Sequence, residues 1–346
     1  MRTRNASFIP LIALSLLLLA SCKQNKYYTF RGFTQGTTYQ VTLETKDTSG
    51  LHKAMTNLLE EFDNSLSTYN TQSVISQINR NEVKVGDDYF LYALSLSQEI
   101  YHQTSGAFDI TVAPLVNAYG FGFTEKSAID QHAIDSMLEF VGIDKVSLIG
   151  DQIQKQDPRL MFDMNAIAQG FSVDIMAEFL NHNEIENYLV EIGGEIRTRG
   201  VNSKGEDWTI GIDKPVENNF MPGQDLQVII RLSGKSLATS GNYRKFYEKD
   251  GVKYSHTLSP KTGKPVRRKL LSATVIADEC ARADALATAF MVMGLEQAQQ
   301  FISTHPDIWG YFIYSDNKGN FQVSFSPELK SLIIEVDDQA PENQSQ

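Results

Sequence analysis

The sequence predicts an α+β fold in which most of the sheet is antiparallel. Short segments that alternate apolar and polar residues recur along the chain, and hairpin-like connections rather than helices join most of them. Longer segments between them repeat apolar residues with the period of an amphipathic helix. Strands joined by tight connections pair antiparallel, and each helix must bury its apolar face against another layer.

The first strand segment, residues 27–45, alternates aromatic and β-branched residues with polar ones, and Gly36 divides it into two short strands. Residues 188–200 predict two more strands around a pair of glycines. The remaining strand predictions share this alternation and lie at 145–149, 160–163, 208–213, 226–233, 235–239, 254–258, 310–314 and the first part of 272–294.

Helices are predicted where apolar residues recur every three or four positions, at 51–66, 88–104, 130–141, 171–182 and the alanine-rich second part of 272–294. The second of these ends at Ser105-Gly106, because glycine readily takes the left-handed conformation that closes a helix. Residues 107–122 contain too much glycine, proline and aromatic side chain for a regular element. We predict a binding loop there.

Composition limits the kind of protein and its partners. The 346 residues carry a formal net charge of −11 and are 42% hydrophobic, which is ordinary for a globular chain and argues against nucleic acid as a partner. We predict one body at residues 29–334, without a readable internal boundary, and a disordered acidic tail at 335–346. The two cysteines offer no disulfide framework if the first carries lipid.

The amino terminus has the pattern of a bacterial lipoprotein signal. Two arginines precede an apolar run at residues 8–19, which is short for a membrane span, and small residues stand directly before Cys22. We predict a signal peptide at 1–21, lipidation of Cys22 and a tether at 22–28. An ordinary signal peptide with an incidental cysteine is the alternative.

Asp284 and Thr288 are four residues apart in the alanine-rich helix, so both project from one face, a turn apart. A carboxylate and a hydroxyl are ligands that hard cations such as Mg²⁺ accept, together with substrate phosphates. The alternative is purely local: Asp284 forms a salt bridge or a cap, and Thr288 bonds back to a carbonyl. The helix by itself leaves both interpretations open.

Residues 160–170 predict a strand, a turn of small residues and a helix start. Backbone amides at a helix start attract anions, so this turn is a plausible approach for phosphate. His256 lies between strand-like residues and the tight turn that contains Pro260 and Gly263. A histidine near neutral pKa suits proton transfer, and hydrogen bonding within the turn is the alternative.

The order of these motifs resembles the ApbE family of FAD:protein FMN transferases over about residues 29–332. The resemblance rests on one ordered series: Gly36-Thr37-Thr38-Tyr39, Ser67-Thr68-Tyr69, Ser105 to Asp109, Asp163 to Gly170, Ser240-Gly241-Asn242-Tyr243, His256 to Gly263 and Ala283 to Ala289. It implies an ApbE-like, T-fold-like architecture and a magnesium-dependent enzyme. Such an enzyme links the FMN half of FAD to a threonine or serine hydroxyl of another protein and releases AMP.

The resemblance also implies roles for individual residues. Asp284, Thr288 and the backbone carbonyl of Ala166 would hold Mg²⁺, and His256 would take part in transfer. The residues implied around FAD are Gln35, Tyr69, Ala107, Phe108, Asp109, Asp163, Gln169 and Thr257. Two alternatives remain open: Tyr69 and Phe108 as core aromatics, and Asp163 as a helix cap.

Two positions depart from the pattern that many family members share. Gln35 stands where methionine is common, and Gln169 where lysine is common. The second departure removes a positive charge near the predicted diphosphate, so FAD affinity or cleavage rate is expected to differ.

The resemblance further implies a periplasm-facing lipoprotein that acts on a subunit of a membrane redox complex. One alternative activity is hydrolysis of FAD to FMN and AMP. The other is storage or delivery of FAD without chemistry.

Overall fold

A computed structural model describes residues 26–120, 130–216, 225–241, 246–249, 252–255, 257–266 and 268–334. Cys22, His256 and residues 335–346 lie outside this part of the chain. Within it, no helix is both long enough and apolar enough to cross a membrane.

One sheet of eight strands organises the described residues, and every neighbouring pair in it is antiparallel. Its strands, in spatial order, are Lys26–Thr34 (β1), Thr37–Thr45 (β2), Tyr188–Ile192 (β5), Glu195–Arg199 (β6), Ser236–Gly241 (β9), Leu270–Ala277 (β12), Trp309–Ser315 (β13) and Phe321–Phe325 (β14). The predicted α+β class with a largely antiparallel sheet is confirmed.

Three smaller sheets accompany it. Their strands are Trp208–Asp213 (β7), Leu226–Leu232 (β8) and Ile333–Ile334 (β15) in one, Val146–Ile149 (β3) and Gln152–Lys155 (β4) in the second, and Phe246–Lys249 (β10) and Val252–Ser255 (β11) in the third. The helices are Leu51–Leu66 (α1), Val74–Asn79 (α2), Asp88–Gln103 (α3), Ala113–Ala118 (α4), Gln131–Leu138 (α5), Ala168–His182 (α6), Cys280–Met293 (α7) and Leu295–Ser303 (α8).

Strand β12 is buried on both faces, and this explains its nearly continuous apolar sequence. Alternate residues Ala273 and Val275 join the main core beside α7, whereas Ile276 packs in a second cluster with Ile210 and Ile230 of the three-stranded sheet. The large sheet is therefore covered by helices on one side and by β7, β8 and β15 on the other.

Helix α7 lies at the centre of the molecule. Most of its residues are buried, and it contacts α6, β9 and β12. A helix that is apolar all round belongs in a protein interior, and its alanines allow the neighbouring backbones to approach closely. Asp284 is thus a carboxylate placed inside the core, where an ionised group is costly unless it is compensated.

Several boundaries differ from the sequence predictions. The segment 107–122, predicted to be an irregular loop, contains α4, which has a proline in its first turn. Helix α6 begins at Ala168 rather than at residue 171, and residues 160–163 contribute only an isolated bridge from Met161 to Val112. Helix α2 was not predicted because its six residues are too few to show a period.

Candidate active site

Asp284 lies just over one turn into α7 and is 7% exposed. Its Oδ2 accepts a hydrogen bond from the backbone N–H of Gly170 at 3.1 Å. Burial raises the pKa of Asp284 to about 7, and the Gly170 bond only partly opposes this rise. A cation beside this carboxylate would offset the cost of burying its charge.

The same contact satisfies the start of α6. Gly170 is the third residue of this helix, so its N–H has no partner within the helix, and the Asp284 carboxylate supplies one. Among the described residues, no backbone amide donates to the Ala166 carbonyl. That oxygen therefore keeps its lone pairs for another partner, at the helix end that Asp284 also reaches.

Gly170 is required here because the helices approach so closely. A Cβ atom on Gly170 would lie 2.4 Å from the carbonyl oxygen of Cys280 and 2.8 Å from Cβ of Asp284. Both distances are shorter than real Cβ contacts, and the first involves backbone that cannot rotate away. The small-residue turn that the sequence shows before α6 therefore serves the contact between α6 and α7.

Thr288 lies one turn beyond Asp284, and its hydroxyl is 3.1 Å from the hydroxyl of Ser240 at the end of β9. This contact replaces the predicted alternative in which Thr288 bonds back to a carbonyl of its own helix. Likewise, Asp284 forms no ion pair with any described residue, and it accepts from α6 rather than capping α7. The Asp284 carboxylate, the Thr288 hydroxyl and the Ala166 carbonyl are oxygen donors of the kind that fit a hard cation.

Gln35 lies in the turn between β1 and β2 and has a positive φ of 50°. Its Nε2 is buried and has no hydrogen-bond partner among the described residues, and its Oε1 is 3.5 Å from the Ser172 hydroxyl of α6. A buried amide without a partner is expensive, so a ligand that accepts from it would gain affinity.

Gln169 reaches the same corner of the molecule. Its Nε2 lies so close to Gly193, in the turn between β5 and β6, that a Cβ there would be 2.4 Å away. The same Cβ would be 3.0 Å from Thr37, the first residue of β2. Gln169, in the first turn of α6, thus lies beside the turn at Gly193 and the start of β2, which follows the turn that contains Gln35.

Residues 107–109 pack beside α7, close to its carboxyl-terminal end. Ala107 packs in a small cluster with Val266 and Val292, and Val292 is one turn beyond Thr288. The backbone of Thr257 accepts from the N–H of Val266 at 2.9 Å, which places Thr257 beside the same cluster. Ala107 and Thr257 are therefore brought together near the carboxyl-terminal half of α7.

The side chains of Phe108 and Asp109 make their contacts inside the protein. Phe108 is 2% exposed and belongs to the main core, as the core alternative predicted. Asp109 Oδ1 accepts from the N–H and hydroxyl of Thr111 at 2.8 and 2.7 Å, and Oδ2 accepts from the Ile143 N–H at 3.2 Å. Burial raises the pKa of Asp109. Any ligand contact here would use backbone groups of residues 107–109.

Asp163 does not cap α6. Its Oδ1 accepts from the N–H of Asn165 at 2.8 Å, which forms a turn before the helix, and its own N–H donates to the Ile110 carbonyl at 2.7 Å. Burial raises the pKa of its carboxyl group. Asp163 thus links the turn that leads to Ala166 with the segment after Asp109.

Tyr69 is 69% exposed, so the core alternative does not hold for it. It follows α1 in a turn that Asn70 ties back to Asn64 through a 3.0 Å side-chain bond. The same end of α1 carries Asp63, which accepts a hydrogen bond from the backbone N–H of Gln35. Tyr69 and the Gln35 turn therefore lie at one end of α1.

Three contributors to the site had no predicted role. Ser240 contacts Thr288, although the sequence showed it only as part of a motif. Asn79 exchanges two hydrogen bonds with the backbone of Phe162, at 2.9 and 2.7 Å, and so holds the chain before Asp163. Asp174 binds the start of α7. Its one signal in the sequence is its position four residues after Gly170, on the same helix face.

Known proteins are similar to this chain in sequence and in fold. FAD:protein FMN transferase from Vibrio cholerae is 38% identical over 298 residues, covering 83% of this chain and 88% of its own. The enzyme of the same name from Haemophilus influenzae is 33% identical, with 94% and 97% covered.

Among solved structures, the flavin transferase ApbE from Vibrio cholerae superposes with a TM-score of 0.80 at 32% identity, covering 89% of this chain and all of the other. The apo form of the Pseudomonas stutzeri flavinyl transferase ApbE gives the same score at 31% identity, covering 89% and 97%.

The shared fold, and relatives that match over nearly their whole length, define a transferase. The profile described as ApbE family matches residues 35–312. The chain belongs to the ApbE family, which confirms the resemblance seen in its motifs.

Proposed function

We propose that this protein transfers FMN from FAD to a threonine or serine hydroxyl of an acceptor protein. The acceptor oxygen forms a bond to the phosphorus of the FMN half, the bond from that phosphorus to the bridging oxygen breaks, AMP leaves, and the hydroxyl proton passes to a base. Family membership and the name that the relatives share support this reaction. The structural observation that carries it is the contact between Gly170 and Asp284, which brings a buried carboxylate to the start of α6, where the Ala166 carbonyl accepts no backbone hydrogen bond from the described residues.

Asp284, Thr288 and the Ala166 carbonyl would hold Mg²⁺. When bound, the ion would supply positive charge that binds the diphosphate and neutralises the charge developing on the leaving AMP. Support comes from the donor set: three hard oxygens, of which one is a buried carboxylate without an ion pair in the described residues.

FAD would lie beside α7, between the Gln35 turn with Gln169 of α6 on one side and the cluster of Ala107 and Thr257 on the other. Gln35 offers a buried N–H donor that a flavin or nucleotide oxygen would satisfy. Exposed Tyr69 offers a ring for stacking, and residues 107–109 offer backbone groups. Asp163 would help to shape this site through its bond to Asn165.

His256, outside the described residues, would accept the proton of the attacking hydroxyl. Its neighbour Thr257 lies beside the cluster of Ala107 and Val266, so the chain at this point runs along the same side of α7 as the other predicted residues. Replacing His256 by glycine is expected to abolish transfer while FAD still binds.

The cellular setting belongs to the same proposal. Lipidation of Cys22 after export would tether the enzyme to a bacterial membrane, facing the periplasm, within reach of a membrane redox complex. The leader pattern at residues 1–22 and the following polar tether support this placement.

The test incubates leaderless protein, residues 23–346, with FAD, MgCl₂ and a purified acceptor subunit of a membrane redox complex. Intact mass of the acceptor and release of AMP are measured together. Transfer predicts an FMN increment on the acceptor with an equal amount of AMP. Free FMN and AMP without that increment would establish hydrolysis instead, and intact FAD would indicate storage. Asp284→Asn and added EDTA serve as controls that should remove both products.

A further inference from the structure

We infer that Asp174, held by Arg197, is a positioning residue that fixes the start of α7 and thereby places Asp284 for cation binding. This inference rests on the proposed function, because it concerns the same cation site. It adds two residues, neither of which is expected to touch FAD, the cation or the acceptor.

Helix α7 has no cap of its own. The side chain of Glu279, at its N-cap position, makes no capping hydrogen bond. Asp174 of α6 supplies the cap from another helix: Oδ1 accepts from the N–H of Cys280 at 2.9 Å, and Oδ2 accepts from the N–H of Ala281 at 2.8 Å. A carboxylate satisfies otherwise unpaired amides and is favoured electrostatically at a helix start.

This cap lies one turn from the cation site on both helices. Gly170 and Asp174 are four residues apart, so they share the face of α6 that contacts α7. Gly170 bonds to Asp284, and Asp174 bonds to the amides three and four residues before Asp284. Two attachment points separated by one turn fix both the rotation of α7 and its position along its axis. A rotation by one residue would carry the Asp284 carboxylate about 100° away from the Ala166 end of α6.

Arg197 makes a charged cap tolerable inside the protein. Asp174 is 6% exposed, and Nη1 of Arg197, on β6, lies 2.5 Å from its Oδ1. A buried carboxylate needs such a partner, and the guanidinium also fixes the direction of the carboxylate. One ion pair thereby connects the sheet, α6 and α7, and it acts on the cation site through the backbone at the start of α7.

Mn²⁺ alone is the probe for this inference, titrated into leaderless protein and followed by electron paramagnetic resonance. Asp174→Asn keeps the size of the side chain but replaces one of the two carboxylate oxygens by an N–H₂ group. One of the two amides at the start of α7 then loses its hydrogen-bond acceptor. Mutation of a residue that orients a metal ligand typically lowers metal affinity by about 10- to 100-fold. We therefore expect Mn²⁺ affinity to fall by at least about tenfold in Asp174→Asn. Asp284→Asn should abolish the binding and defines the site that is measured.

A matched control separates positioning from general stability. Asp87 is the N-cap residue of α3 and accepts from the Phe90 N–H at 2.9 Å and from the Ser65 hydroxyl at 2.6 Å, at a helix with no predicted ligand. Asp87→Ala should lower the melting temperature, because loss of such a cap costs about 0.5–2 kcal/mol, yet leave Mn²⁺ affinity unchanged. Should Asp174→Asn fail to fold, Arg197→Lys is the milder variant, with an expected loss of several-fold in Mn²⁺ affinity.

Wild-type Mn²⁺ affinity in folded Asp174→Asn would overturn the inference, and so would an equal loss in Asp87→Ala or a wild-type protein that does not bind Mn²⁺. The readout also distinguishes this inference from the proposed function. Mn²⁺ binding that depends on Asp174 in a protein that transfers no FMN would contradict the function alone. Normal FMN transfer combined with unchanged affinity in Asp174→Asn would contradict the inference alone.

Discussion

The backbone amide of Gly170, in the first turn of α6, donates to the carboxylate of Asp284, 114 positions away in the chain. This hydrogen bond orients a buried carboxylate and satisfies an amide that has no partner within its own helix. The contact depends on the absence of a side chain at residue 170.

Gly170→Ala should therefore disturb the site by separating two helices. The added Cβ would lie 2.4 Å from the Cys280 carbonyl oxygen, and overpacking of this kind typically costs about 1–3 kcal/mol. We expect a lower melting temperature together with a large loss of FMN transfer, measured by thermal unfolding and intact mass. Glu178→Ala, on the exposed face of the same helix, is the control and should change neither. Full activity in Gly170→Ala would show that the close approach is dispensable.

Asp284→Asn should separate folding from catalysis. The amide oxygen can still accept from Gly170, and the buried charge is removed, so the folded state should be as stable as the wild type or more stable. FMN transfer should fall by about two orders of magnitude or more, the size typical of losing a key electrostatic contact. Comparing melting temperature with transfer rate tests both parts, and Asp144→Asn on the surface provides the control. A variant that retains transfer would refute the cation role.

Ser240→Ala tests whether the neighbouring hydroxyl orients Thr288. Their oxygens are 3.1 Å apart, and loss of one such bond costs about 0.5–1.5 kcal/mol. We expect the Mg²⁺ concentration for half-maximal transfer to rise about two- to tenfold. Thr239→Val removes a similar hydroxyl pair, formed with Thr274 at 2.8 Å on the other face of β9, and should leave the Mg²⁺ requirement unchanged. Equal Mg²⁺ requirements in Ser240→Ala and the wild type would contradict the role of Ser240.

The lowered pKa of Lys155 should make the free energy of unfolding depend on pH in the alkaline range. Desolvation lowers its pKa from 10.5 to about 8, although its ammonium donates to the Ile78 carbonyl and to Asn81. Between these values the unfolded chain holds a proton that the folded chain has lost, so this contribution to the free energy of unfolding increases as pH rises from about 8 to 10.5. Urea unfolding of wild type and Lys155→Met across this range should show the increase in the wild type alone. Parallel pH profiles would rule out the depressed pKa.

Cys22→Ser tests the predicted lipid anchor. Each buried methylene of an acyl chain contributes about 0.8 kcal/mol to membrane attachment, so loss of the chains should release the protein. We expect wild-type protein in the membrane fraction and the variant in the soluble fraction, as measured by fractionation and immunoblotting. Lys23→Ser, which leaves the cysteine in place, is the matched control. Soluble wild-type protein would favour an ordinary signal peptide.

Local patterns predicted much of the fold. The alternation at 188–200 and 208–213 became β5, β6 and β7, and the periodic segment at 51–66 became α1 with the same bounds. These predictions succeeded because period and turn chemistry are properties of neighbouring residues. Helix α2 and the start of α6 were missed because six residues show no period, and because the Gly170 end of α6 is held by a distant helix.

The sequence by itself determined the fold class, the family and the residue types available for a site, since these follow from local periodicity and from the order of motifs. Tertiary structure decided which of those residues face each other. It turned Phe108 and Asp109 inward, left Tyr69 exposed, and joined Asp174 and Gly170 to α7. The physical reason is that hydrogen bonds between residues more than 100 positions apart depend on how helices pack, and packing is set by the whole core.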